Sequence, residues 1–283
     1  MGDVRLGLVG CGRIAELGYV PALARARGVR LAAVADRVPS RCADIAPGVP
    51  AFATAAELLD AKVVDAVVLA TPAAAHLGDA RAAASAGVAV LVEKPPATTA
   101  ADAVELAQLE PTPFVGFNRR FEPELRELRA AGTAAPKVDL RLVLRRRRGS
   151  WPSHEVADPV ALDLGPHMVD LAFWLSGAEE ARVSGDADAD HMSMRLELAG
   201  RGSAVIECAL GRPYREEVAV RGVGAFRRGG LLAAFRARES PLVPSLARQL
   251  EAFARAVRGS DEPELATAHD GLRVMRALEC VTS

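Results

Sequence analysis

Over its first 117 residues the chain alternates short apolar runs with helical patterns, and this alternation constrains the possible fold more than any other feature. The runs carry almost no charge, as strands do when both faces of a sheet are buried. Helical segments separate successive runs, which is typical of repeated βα units and predicts a doubly wound parallel sheet. The predicted strands are Val4 to Val9, Val29 to Ala35, a weak Ala51 to Ala53, Val63 to Ala70, Val88 to Val92 and Pro113 to Phe117.

After Phe117 the pattern changes. Residues 137 to 148 alternate apolar and charged side chains, as a strand with one buried face does, and similar segments recur between Ala181 and Phe235. Helices are predicted at about 122–131, 160–175, 246–257 and 268–280. We therefore expect two domains: an α/β domain with the doubly wound parallel sheet at 1–117 and an α+β domain with an antiparallel sheet at 118–283.

Composition and charge exclude several classes of partner. The formal net charge of −1 gives no electrostatic basis for binding nucleic acid or an anionic membrane. No apolar run approaches the roughly 20 residues of a membrane span, and because the first strand begins almost at once we expect no signal peptide. The 4 cysteines are scattered without metal-type spacing, so we expect no metal site and a cytoplasmic protein.

A glycine-rich turn follows the first predicted strand, in the sequence Gly10-Cys11-Gly12-Arg13-Ile14-Ala15. This matches the dinucleotide fingerprint of the Rossmann fold with Ala15 in its third small position. Gly10 would make the tight turn, and Gly12 would let a pyrophosphate approach the backbone at the helix N-terminus, near Arg13 and Ile14. An acidic residue, Asp36, ends the second strand, where a carboxylate can hold the adenosine ribose.

Asp36 favours NAD over NADP, because its charge would repel the 2′-phosphate of NADP. Arg37 follows directly and Arg41 lies close in sequence, and either could hold that phosphate. We therefore expect NAD, with NADP left open.

A lysine follows the fifth predicted strand, in the sequence Glu93-Lys94-Pro95. Ligands of parallel sheets bind beyond the carboxyl ends of the strands, so Lys94 is placed to meet a substrate. The chain otherwise carries its positive charge as arginine, since only Lys62, Lys94 and Lys137 are lysines among its 35 basic residues. Lysine can take part in proton transfer where arginine cannot, which makes Lys94 a candidate catalytic residue.

Thr71 and Pro72 end the fourth predicted strand and lead to His76. This order places a backbone turn, a hydroxyl and an imidazole beside the expected cofactor crevice. His76 could also cap or pack at the start of its helix, and the residues alone leave both interpretations open.

A second polar cluster, Asp163-Leu164-Gly165-Pro166-His167-Met168-Val169-Asp170, lies in an otherwise apolar helical pattern. Asp163 and His167 are four residues apart, so on a helix a carboxylate could orient the imidazole for acid–base work. Gly165 would leave room between them for a planar ring, and Asp170 would either cap or brace the helix. An ordinary surface ion pair is the alternative.

Together these segments resemble the Gfo/Idh/MocA family of NAD(P)-dependent oxidoreductases over nearly the whole chain. The resemblance rests on the glycine turn, Asp36, Thr71-Pro72 with His76, Glu93-Lys94-Pro95, the segment from Gly116 to Phe121 and the Asp163 to Asp170 series. It implies Lys94 and His167 as catalytic residues, with Asp163 holding substrate or lysine. It also implies cofactor contacts from Thr71, Pro72, His76 and Glu93, and a homodimer or homotetramer. The resemblance further implies a dinucleotide-binding (Rossmann) domain at 1–117 and a substrate-binding and oligomerisation domain at 118–283 with an open, mainly antiparallel sheet.

The substrate residues are harder to infer, because the chain is shorter than is common in that family and lacks the glycine pair often found before Asp163. Asn118 and Trp151 are candidates, and Arg120 is either a substrate contact or a structural anchor. Residues Arg145 to Arg148 either bind an anionic substrate or form a solvated strand end.

We expect hydride transfer to or from a hydroxyl or ketone of a sugar, polyol or related small molecule. An NAD-dependent glycosidase and a non-catalytic nucleotide-binding protein are the alternatives.

Overall fold

The computed structural model describes residues 2–135, 137–147, 158–229 and 242–282, and their contacts divide them into two units. The first unit contains the described chain up to Asn118 and the segment from 242 to Leu272. The second contains the described residues from Arg119 to 229 and those from Arg273 onward.

The first unit is built on a six-stranded parallel sheet in the order β3-β2-β1-β4-β5-β6. Because the chain leaves the central strand β1 toward β2 on one side and returns to β4 on the other, a crevice is expected beyond the carboxyl ends of these strands. The predicted doubly wound parallel sheet is confirmed. Its strands are β1 (Val4–Val9), β2 (Val29–Ala35), β3 (Ala51–Phe52), β4 (Ala66–Leu69), β5 (Ala89–Val92) and β6 (Phe114–Val115).

The first helical stretch opens as a π-helical segment (Ala15–Tyr19) and continues as α1 (Val20–Leu23). Pro21 has no N–H, so it cannot supply a regular α-helical hydrogen bond at this point, which fits the wider turn before it. The other helices between the strands are α2 (Pro39–Ile45), α3 (Ala55–Asp60), α4 (Ala73–Ser85) and α5 (Ala100–Ala107).

The second unit contains a six-stranded sheet in the order β12-β11-β7-β10-β9-β8. Every neighbouring pair is antiparallel except β7 and β10, so the expected mainly antiparallel sheet is confirmed. Along β9, exposed and buried residues alternate strictly, because one sheet face is covered by the apolar helix α8. The strands are β7 (Val138–Arg146), β8 (Ala181–Ala187), β9 (His191–Leu198), β10 (Gly202–Leu210), β11 (Arg215–Val220) and β12 (Gly224–Gly229).

The helix expected at about 160–175 is present as two, broken at Leu164. Pro166 cannot donate a backbone hydrogen bond, and a side chain at Gly165 would come within 2.8 Å of Leu278. Gly165 therefore serves close helix packing. The remaining helices in the described residues are a 3₁₀ helix (Asn118–Phe121), α6 (Pro123–Ala134), α7 (Val160–Asp163), α8 (Gly165–Ser176), α9 (Leu242–Val257) and α10 (Ala268–Thr282). None of the helices in the described ranges is long and apolar enough to cross a membrane.

Helix α9 and the start of α10 belong to the first unit, whereas the sequence pattern places everything after residue 117 in the second domain. Leu246 of α9 packs against Gly18, where even a methyl group would come within 2.8 Å. Glu251 accepts a hydrogen bond from the backbone of Arg27 at 2.9 Å. These contacts join segments more than 200 residues apart, and no local pattern carries them.

Candidate active site

The glycine-rich turn has the shape that a dinucleotide requires. Gly10 has a φ of +93°, and a side chain there would lie 2.6 Å from the backbone carbon of Ala70, so only glycine fits. A Cβ built at Gly12 meets no protein atom within 4 Å. The turn thus leaves open space beside Gly12, where the fingerprint places the pyrophosphate. Because the space beside Gly12 is open, the residues of this turn can accommodate the pyrophosphate of NAD.

The carboxylate of Asp36 is held in place by backbone N–H groups, one of them from the glycine-rich turn. One carboxylate oxygen accepts a hydrogen bond from the backbone of Cys11 at 2.8 Å, and the other accepts from the backbone of Val38 at 2.8 Å. A carboxylate can accept about four hydrogen bonds, so acceptor positions remain for ribose hydroxyls. Arg41 lies 4.0 Å from the same carboxylate, while Arg37 is exposed.

Arg13 and Ile14, the other residues expected near the cofactor, begin the helical stretch. The Arg13 guanidinium forms an ion pair with Glu16 at 2.7 Å, and Ile14 packs against Gly18. Both side chains therefore have contacts within the protein.

His76 lies in the interior, with 1% of its surface exposed. Its Nε2 is 2.8 Å from the carbonyl oxygen of Thr71, and its Nδ1 is 3.1 Å from that of Pro95. Burial lowers the pKa of the ring, against the smaller opposite effect of these carbonyl groups. The ring thus links the turns after β4 and β5, and the contact of this region with a cofactor stays a prediction.

Thr71 and Pro72 form the turn after β4. The Thr71 hydroxyl donates to Asp79 of α4 at 3.3 Å, and burial raises the pKa of the Asp79 carboxyl. Pro72 is exposed. The backbone of Thr71 lies against Gly10, so this turn and the glycine turn meet at the carboxyl edge of the sheet.

Lys94 is half-buried, directly after the buried Glu93. The Glu93 carboxylate accepts from the Tyr19 hydroxyl at 2.7 Å and from the backbone N–H of Lys94 at 2.9 Å. Burial raises the pKa of Glu93, while the Tyr19 hydroxyl and the Lys94 charge act in the opposite direction. Glu93, predicted as a cofactor contact, has its carboxylate engaged within the protein.

Tyr19 is a residue of this region that the sequence pattern does not reveal. It is a single aromatic residue on an apolar helix face, and its partner lies 74 residues away, so no local pattern marks it.

In the second unit, Asp163 ends α7 and the half-buried His167 lies in the first turn of α8. Asp163 forms an ion pair with Arg146 at the end of β7. Arg145 pairs with Glu207, so two of the arginines at this strand end have acidic partners. Arg148 and Trp151 lie outside the described residues.

Asn118 and Arg120 are buried and make contacts within the protein. The Asn118 amide donates to the Ser245 hydroxyl at 2.8 Å. The Arg120 guanidinium donates to both oxygens of Asp170, at 2.5 Å from Nη2 and 3.0 Å from Nε. This ion pair links the 3₁₀ helix (Asn118–Phe121) to α8, and a contact of Arg120 with substrate stays a prediction.

Comparison with known proteins supports an NAD-binding domain and an oxidoreductase family for this chain. The sequence model of an oxidoreductase family with an NAD-binding Rossmann fold matches residues 4–112. The rhizopine catabolism protein MocA of Rhizobium meliloti is 30% identical, over 98% of this chain and 94% of that protein. The inositol 2-dehydrogenase of Leifsonia xyli subsp. xyli is 34% identical, over 64% of this chain and 56% of that protein.

Among solved structures, a probable dehydrogenase from Thermotoga maritima superposes with a TM-score of 0.82 at 23% identity, covering 98% of this chain and 95% of that one. This likeness shows the shared fold. Fold and sequence together define an oxidoreductase with an NAD-binding domain. The chain belongs to the Gfo/Idh/MocA family.

Proposed function

We propose that this protein is an NAD-dependent dehydrogenase that oxidises a secondary hydroxyl of a polyol, or reduces the matching ketone. We expect the substrate to be an inositol-like cyclic polyol, because relatives of this chain are named inositol 2-dehydrogenase. The observation that carries the proposal is the Glu93-Lys94-Pro95 turn. It follows β5 in the unit that contains the open glycine turn, and hydrogen bonds to the buried Glu93 carboxylate hold it in place.

Lys94 donates a hydrogen bond to the reacting oxygen and polarises it. His167 takes the hydroxyl proton during oxidation and returns it during reduction. Asp163 sets the geometry of this proton transfer, and its ion pair with Arg146 holds the carboxylate in a defined position. The bound nicotinamide supplies the hydride acceptor or donor.

NAD is the expected cofactor, because Asp36 presents a negative charge where the 2′-phosphate of NADP would lie. Arg37 and Arg41 are the residues through which NADP could still be used. The cytoplasmic location and the homo-oligomer expected from the family remain predictions.

The first test is calorimetric titration of the purified protein with NADH and, separately, NADPH. We expect NADH to bind at least about tenfold more tightly, a difference of about 1.4 kcal/mol. Oxidation of myo-inositol, scyllo-inositol and open-chain polyols is then followed through NADH formation. Failure of both nucleotides to bind the cofactor-free protein would contradict the proposal.

If a nucleotide binds but no polyol is oxidised, two other functions are to be distinguished, and the same purified protein can be used to test both. Cleavage of a chromogenic glycoside without net change in NAD would indicate the glycosidase reaction. Binding with no reaction on any polyol, ketose or glycoside would indicate a non-catalytic protein.

A further inference from the structure

The buried tyrosine of the first helical stretch joins two parts of the first unit. Tyr19 has no exposed surface, and it lies in the π-helical segment that follows the glycine turn. Its hydroxyl donates a 2.7 Å hydrogen bond to one oxygen of the Glu93 carboxylate. Tyr19 thereby connects the helix after the glycine turn with the end of β5.

The other oxygen of Glu93 reaches the lysine turn itself, where it accepts the backbone N–H of Lys94 at 2.9 Å. On a third side lies Gly116, where an added Cβ would come within 3.3 Å of the same carboxylate. The carboxylate is therefore enclosed, and each of its two oxygens holds one donor: a side-chain hydroxyl and the Lys94 backbone.

We propose that Tyr19 is a positioning residue for Lys94, acting through the Glu93 carboxylate that it fixes against the Lys94 backbone. The inference rests on the proposed catalytic role of Lys94. Tyr19 itself touches no reacting atom in this scheme. Its hydroxyl determines where the lysine turn lies relative to the strand that carries it.

The charges around Glu93 support a specific role for the hydroxyl beyond filling space. A buried carboxylate is costly unless donors satisfy it. Among the described residues, the titratable groups facing Glu93 are Tyr19 from the helical stretch and Lys94 from its own turn. Burial and the Glu93 charge raise the pKa of Tyr19 well above 10, so its hydroxyl stays protonated and remains a donor.

The direct test is hydrogen exchange at the Lys94 amide, which is the last exchangeable amide before Pro95 and Pro96 and is therefore easily resolved in a fragment. In Tyr19→Phe the aromatic ring stays and only the hydroxyl is lost. We expect Lys94 exchange to accelerate about tenfold or more, because Glu93 loses its fixed position. Tyr214→Phe is the matched control, since it removes a 2.8 Å hydroxyl–carboxylate bond to Glu216 in the second unit.

The pH dependence of the Tm distinguishes a hydrogen bond from Tyr19 to a charged Glu93 from simple packing of the Tyr19 ring. Losing a donor to a carboxylate costs about twice as much as losing one to a neutral acid. Burial raises the pKa of Glu93 above its usual range, so the Tm loss in Tyr19→Phe should be larger near neutral pH, where the carboxylate is charged, and should shrink as the pH falls and Glu93 takes up a proton. In a Glu93→Gln background, the effect of Tyr19→Phe should not depend on pH.

Kinetics then distinguish this inference from the proposed function. With an active polyol, Tyr19→Phe should lower kcat about tenfold and leave the KM for NAD nearly unchanged. Unchanged Lys94 exchange with a pH-independent Tm loss would overturn the positioning role, even in an active enzyme. Faster Lys94 exchange in a protein that turns over no polyol would support the positioning role and reject the proposed function.

Discussion

Arg120 and Asp170 form a buried, two-pronged ion pair in the second unit, although 50 residues separate them in sequence. Their side chains are 5% and 2% exposed. The pair joins the 3₁₀ helix after Phe117 to α8, the helix that carries His167. The position of that helix therefore depends on a charge pair that is shielded from water.

Asp170→Ala should be strongly destabilising, because it leaves the Arg120 charge buried without this partner. We expect a loss of about 3–5 kcal/mol in the free energy of unfolding, measured by urea denaturation. The exposed pair of Arg5 and Asp65 provides the control: Asp65→Ala should cost no more than about 1 kcal/mol. Equal losses in the two variants would contradict the anchoring role.

Alanine at the two glycines of the cofactor turn should separate folding from binding. Gly12→Ala adds a methyl group where no protein atom lies within 4 Å, so Tm should hardly change while NADH affinity falls about tenfold or more. Gly10→Ala places a methyl group against the Ala70 backbone at a positive φ and should lower Tm markedly. Thermal melts and NADH titration of both variants measure this, and undiminished NADH binding in Gly12→Ala would place the pyrophosphate elsewhere.

Lys94→Ala and His167→Ala should each lower turnover by about 10²–10⁴-fold while changing NADH affinity by less than about threefold. The expected split follows from the proposed roles, in which both residues act on the proton and oxygen of the substrate and not on the nucleotide. Exposed residues supply the controls, Lys137→Ala and His269→Ala, which should retain full activity. Wild-type kcat in either active-site variant would exclude that residue from catalysis.

Protonation of His76 should destabilise the fold in acid. Its folded-state pKa lies below the unfolded value of about 6.5, so the unfolded chain binds the proton first. The stability from the neutral buried ring is complete above about pH 6.5 and is lost as the pH falls toward the lower, folded-state pKa. His76→Gln should therefore flatten the fall of Tm over this range, whereas substitution of the exposed His191 should not. Parallel Tm curves for the wild type and His76→Gln would contradict this assignment.

Local sequence predicts local structure well in this chain. The predicted bounds of β1 and β2 agree with the structure, because each strand is an apolar run between turn residues. Thr54 and Glu57 have the spacing of a capping box, and in the structure the Thr54 hydroxyl accepts the backbone N–H of Glu57 at 3.2 Å at the start of α3. The Glu57 carboxylate accepts from the backbone of Ala53 at 3.1 Å, one residue before the capping residue.

The candidate site shows the limit of such reasoning. Asp36 and His76 could be singled out from their places after predicted strands. Their partners could not, because the carbonyl of Pro95 reaches His76 and the amide of Cys11 reaches Asp36 only through the packing of neighbouring strands.

The sequence by itself determined the order of strands and helices, the glycine turn and the candidate residues at strand ends, since each depends on residues adjacent in the chain. Tertiary structure alone decided that α9 packs in the first unit, that Arg120 pairs with Asp170 and that Tyr19 holds Glu93. These contacts join distant segments, and their stability comes from excluding water around groups that satisfy one another. Neither the distance between two such partners nor their burial can be inferred from the residues next to them in the sequence.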